Sequence, residues 1–68
     1  MDLYALRNHM VRFVFTDGEV IEGYVHTYIS AYNNAPDPEC VLIDYPRGGA
    51  RGYLEITEEE LKSATILD

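Results

Sequence analysis

A chain of 68 residues holds one domain, because a polypeptide this short buries only about 60% of the surface that its unfolded form exposes. With 47% apolar and 25% charged residues it has the material for a small packed core, not the makeup of a disordered tail. Five Lys and Arg against twelve Asp and Glu leave a formal charge of −7, which argues against any binding mode that rests on broad neutralisation of phosphates.

Residues 2–8 (DLYALRN) open the chain, and Leu3, Leu6 and Met10 follow at three- and four-residue spacing with Asp2 placed to cap a helix start. This predicts a short helix of about two turns within residues 1–9, able to cover one end of a barrel. From Met10 to Phe15 the period becomes two, with Val11, Phe13 and Phe15 on one face and Arg12 on the other, as in a half-buried strand. Asp17-Gly18 between alternating apolar segments predicts a hairpin, read as a type I′ turn with positive φ at both central residues.

The second strand, EVIEGYVHTYIS, sets Ile21, Gly23, Val25, Thr27 and Ile29 on one face and Val20, Glu22, Tyr24, His26 and Tyr28 on the other. It is long for one strand, and Gly23 at its middle predicts a bend that lets it serve both sides of a small barrel, with close approach of another strand there. Residues 31–39 (AYNNAPDPE) read as a loop from their Asn, Pro and acidic content. Cys40–Tyr45 reads as strand three, PRGGAR as a Gly-rich connection and Gly52–Ile56 as strand four.

Thr57-Glu58-Glu59-Glu60 has the form of a capping box and predicts one tight turn before a fifth strand in KSATILD, with Ala64 and Ile66 inward. The expected core is Val11, Phe13, Phe15, Ile21, Val25, Ile29, Val41, Ile43, Leu54, Ile56 and Ile66. The fold class that follows is mainly β: a five-stranded antiparallel SH3-like barrel over residues 10–67, with a short N-terminal helix, in a single domain of 1–68.

The run from VRFVFTDGEVIEGYV through ECVLIDY to GYLEITEEELKSATIL resembles the Sm-like (LSM) family, in which a helix precedes a five-stranded barrel with a strongly bent second strand. The shared features are the hairpin at Asp17-Gly18, the mid-strand Gly23 with Val25 two residues on, and an apolar last strand after a one-turn connection. The resemblance implies an RNA-contacting motif of Gly, a hydrophobic residue, Asp and Asn, and here Gly23, Val25 and Asn33 fit while Ile29 replaces the Asp. A second motif, an Arg-Gly pair after the fourth strand, is replaced by Thr57 to Glu60, where carboxylates repel phosphate. Arg47-Gly48 and Arg51-Gly52 precede that strand and do not fill its place.

Cys40, the single cysteine, has no partner for an internal disulfide, which suits a reducing cytoplasm and leaves packing or oligomerisation to stabilise the domain. No apolar run approaches the roughly 18 residues of a membrane span, and Arg7 and Arg12 interrupt any signal-like segment, so a soluble, unprocessed chain is expected. His9 and His26 lie far apart in sequence, and the acidic runs lack the spaced oxygen ligands of a calcium loop, so no metal site is expected. Nothing pairs a nucleophile with a base, so no catalytic residue and no cofactor is expected, and the protein reads as a non-enzyme.

Six tyrosines are the more informative feature, because a phenol ring offers large contact area at low entropic cost. Tyr24, Tyr28 and Tyr32, with the acidic turn Glu58, Glu59 and Glu60, are the expected contact residues for a protein partner. The competing expectation, an RNA-binding Sm-like protein that forms an oligomeric ring, would use Asn33, Arg47 and Arg51. The charge favours an acidic protein-interaction or regulatory module, one form of which would occupy a partner's basic surface.

Overall fold

The computed structural model describes residues 1–44 and 52–68 of the chain. Five antiparallel strands form one sheet: β1 (Met10–Phe15), β2 (Val20–Ile29), β3 (Cys40–Asp44), β4 (Tyr53–Thr57) and β5 (Leu61–Ile66), in the order β4-β3-β2-β1-β5. β2 makes the sheet barrel-like by serving both halves, as its length and Gly23 predict. Its first part pairs with β1 (Val11 opposite Gly23, Phe13 opposite Ile21) and its second part with β3 (Val25 opposite Ile43, Ile29 opposite Cys40).

The N-terminal element is shorter than the two-turn helix expected for residues 1–9. It is one 3-10 turn, Leu3–Leu6, whose N-cap Asp2 accepts from the Ala5 amide. Asn8 ends it at φ +63°, a conformation that Asn tolerates better than most residues, and its amide donates to Val25 O at 2.8 Å. The turn still closes one end of the barrel, since Leu3 is fully buried and Leu6 nearly so. Met10, which helical spacing had placed with them, belongs instead to β1 and faces out.

The hairpin at Asp17-Gly18 forms with a different turn. Gly18 donates to Phe15 O at 2.9 Å, Phe15 donates to Glu19 O at 2.8 Å, and Gly18 alone of the turn has positive φ (+92°). That is a three-residue loop, a type I turn followed by a left-handed glycine, in which Asp17 need not adopt positive φ. Instead the Asp17 carboxylate accepts from the Glu19 amide at 2.9 Å. Residues 31–39 are not all loop, because Ser30 caps a one-turn helix, α1 (Ala31–Asn34).

Two bulges reset the strand phases. Val25 pairs with Ile43 but Thr27 with Leu42, which makes His26 an extra residue in β2 and exchanges the faces beyond it. Tyr28 therefore stands opposite the buried Val41 and packs on the core, while Ile29 stands opposite Cys40 on the other face. The expected inward Ile29 and outward Tyr28 are thus exchanged. In β5, Val14 pairs with Ser63 and Phe15 with Leu61, so Lys62 is the extra residue and Leu61 joins the core.

Val11, Phe13, Ile21, Val25, Val41, Ile43 and Ile56 are buried as expected, and Leu3, Leu6 and Leu61 join them. Phe15 and Leu54 lie half-buried at the rim. Ile66, expected inside, is 41% exposed, because it lies opposite Val11 on an edge strand with no ladder partner on its far side among the described residues. The capping box after β4 is present: the Thr57 amide and hydroxyl donate to Glu60 Oε1 at 3.0 and 2.8 Å, and Glu58–Glu60 make one 3-10 turn.

Candidate interaction surface

The β3 and β4 ladder sets Cys40 opposite Thr57, which brings Glu39 and Glu58, each next in sequence, to the same end of the sheet. Glu58 Oε1 lies 2.8 Å from the Met1 amino group, whose pKa is raised, first by that hydrogen bond and then by the charge of Glu58, with smaller contributions from Asp2 and Glu39. Tyr28 donates its phenol proton to Glu39 Oε2 at 2.9 Å, and its pKa is raised by this bond first, then by burial and by the charges of Glu39 and Asp2. Asp2, Glu39 and Glu58 therefore all act on the Met1 amine, and Asp2 and Glu39 act on Tyr28 as well, which gathers the three carboxylates at one end of the sheet.

The three expected acidic contacts differ in what they are free to do. Glu58 holds the Met1 amine and Glu60 closes the turn at Thr57, whereas Glu59 is exposed with no hydrogen bond or ion pair to a described residue.

The expected tyrosines do not share a face. Tyr32 stands on α1 at 90% exposure. Tyr28 is half-buried against the core, and its ring meets the Tyr4 ring edge-on at 5.3 Å and 87°. Arg7 stacks over Tyr4, its guanidinium 3.7 Å from the ring centre, and donates to Tyr4 O at 3.1 Å. Tyr24 points outward from β2 across from Met10 on β1, and the Leu67 amide, just past the end of β5, donates to Met10 O at 2.8 Å, so Tyr24, Met10 and Leu67 lie in one row. Alternation places Tyr24 in that row, but the contributions of Met10 and Leu67 follow only from register.

Asn33 lies on α1 with its amide bonded to Ser30 Oγ at 3.3 Å, and its side chain is exposed. Arg47 and Arg51 lie outside the described residues, as does the Gly-rich connection. His9 Nδ1 is 2.8 Å from Asp68 Oδ1, and His26 Nε2 is 3.4 Å from Asp44 Oδ1. Among the described residues no group of three or more His, Cys, Asp or Glu is placed to hold a metal ion, and no pocket opens.

Cys40 is fully buried on the face opposite the main core, with Asn34 Nδ2 3.7 Å from its sulfur. Burial, followed by the charge and hydrogen bond of Glu55 and the charge of Asp37, pushes its thiol up to about 11. It is therefore protonated and a poor nucleophile at neutral pH. No helix among the described residues is long and apolar enough to cross a membrane. No family model, no curated protein and no solved structure matches the chain.

Proposed function

We propose that the protein is a non-enzymatic Sm-like small barrel of the cytoplasm that acts as an acidic protein-interaction module, setting Asp2, Glu39, Glu58 and Glu59, with Tyr32 as an aromatic anchor, against a Lys- and Arg-bearing surface of another protein. The observation that carries this reading is the placement of Glu39 and Glu58 at one end of the sheet, where both, with Asp2, act on the Met1 amine and only Glu58 is ion-paired to it. Such an arrangement leaves negative potential to steer a cationic partner and to repel nucleic acid. A tyrosine at 90% exposure adds contact area and a face for cation–π contact with an incoming Arg or Lys.

A fluorescein-labelled oligolysine peptide, standing in for the basic surface, tests this by anisotropy. Binding should weaken as salt rises, and Glu58→Gln with Glu59→Gln should weaken it several-fold. Asp44→Asn, at the other end of β3, should leave it nearly unchanged. Equal loss in all variants would mean diffuse attraction to the net charge and would remove the site.

A further inference from the structure

The N-terminal turn sets an aromatic ring beside the acidic end. Tyr4 is 52% exposed, and the Arg7 guanidinium lies over its ring, 3.7 Å from the centre. Tyr28 joins that ring to a carboxylate, because its own ring meets Tyr4 at 5.3 Å and its hydroxyl donates to Glu39 Oε2 at 2.9 Å. Glu39 Oε1 accepts no hydrogen bond from a described residue. Arg7 is exposed and donates its Nε proton to Tyr4 O, but unlike Arg12, which holds Glu22, it is ion-paired with no carboxylate among the described residues.

We infer that the Tyr4 ring is a subsite for an arginine side chain of the basic partner, and that Arg7 is a resident occupant which the incoming guanidinium replaces. This rests on the acidic-module reading and names the cation that one part of that surface selects. The chain itself shows what the ring takes, since Arg7 already places a guanidinium there. A guanidinium stacks on an aromatic face and can at the same time aim its planar fork of N–H groups at a carboxylate, which a lysine ammonium cannot do in the same way. Arg7 achieves only the first half of that pairing, because its backbone follows Tyr4 within the same short turn and its fork reaches no carboxylate. An arginine arriving from solvent is free of that tether and can take both the ring and Glu39 Oε1. An exposed cation–π contact is weak, so Arg7 gives way at little cost.

Anisotropy of fluorescein-labelled oligoarginine and oligolysine of equal length, each titrated with the full chain, tests this. The readout is the ratio of the two affinities, because a change in net charge acts on both peptides alike. Arg7→Gln should tighten oligoarginine several-fold more than oligolysine. Adding Tyr4→Leu, a substitution at an exposed position whose folding circular dichroism would verify, should return the ratio to its native value or below. Lys62→Gln makes the same charge change on β5 and should leave the ratio where it was. A ratio that Arg7→Gln does not move overturns the inference, while oligolysine binding that still depends on Glu58 and Glu59 would leave the acidic-module reading standing. A raised ratio that survives Tyr4→Leu places the arginine elsewhere and overturns the inference equally. Binding of neither peptide overturns both.

Discussion

Gly23 faces Ile43 so closely that an added Cβ would lie 2.8 Å from Ile43 Cδ1 and 3.2 Å from Ile43 Cβ. Both residues are buried at the point where β2 passes from β1 to β3, so a side chain here would push on a packed core. Gly23→Val should cost on the order of 1 to 3 kcal/mol by overpacking. Ile43→Val removes Cδ1, the nearer atom, so Gly23→Ala should cost less in that background than in the native chain. Urea denaturation of the four proteins of that cycle measures the coupling, and additive costs would contradict the contact.

Phe13 is the largest fully buried side chain. Its truncation to Ala should cost roughly 3 to 5 kcal/mol, a large share of the stability of a domain this small. A Phe13→Ala protein that unfolds at nearly the native urea concentration would count against the assigned core.

Asp68 closes the start of β1 by accepting from the His9 ring and the Met10 amide, and its carboxyl is held below the ordinary range, first by His9 and then by the Met10 amide. A depressed folded pKa stabilises the fold at pH above the unfolded value of about 3.9, and that contribution disappears as pH falls through the folded value. Melting curves between pH 6 and pH 2 should therefore show the native chain losing its advantage over Asp68→Asn in the acid range. A constant difference across the series would show that the contact is not linked to protonation.

Tyr28 titrates in the opposite sense. Its phenol pKa is raised, so the contribution of the bond to Glu39 is complete below the ordinary value of about 10 and is lost as pH rises through the folded value. Spectrophotometric titration should find a late tyrosine ionisation, and Glu39→Gln should bring it back towards the ordinary range. Tyr28→Phe should abolish the late step; its persistence would assign the step to another tyrosine.

The strands were legible because their period is local: Val11 and Phe13, or Val41, Ile43 and Ile56, need only alternation to be assigned inward. The two phase changes were not, because a bulge at His26 or Lys62 is fixed by which partner residues line up across the sheet. That is why Tyr28 and Ile29 lie on exchanged faces and why no local period marks Leu61 as a core residue. The one-turn helix at Ala31–Asn34 has too few residues to show a helical period, and its Ser30 cap looks like any turn residue. Of the candidate surface, the acidic turn and the exposed Tyr24 and Tyr32 could be read directly. The meeting of Asp2, Glu39 and Glu58, from three distant parts of the chain, required the fold.

The preference for a protein partner over RNA is tested most directly by anisotropy of labelled U-rich RNA with the full chain at about 0.15 M salt. The acidic end and the Ile29 and Thr57–Glu60 positions, where the Sm-like resemblance implies Asp and Arg-Gly, predict no saturable binding. Micromolar or tighter binding would contradict that account, all the more if Arg47→Ala and Arg51→Ala each weakened it and flattened its salt slope by about one unit.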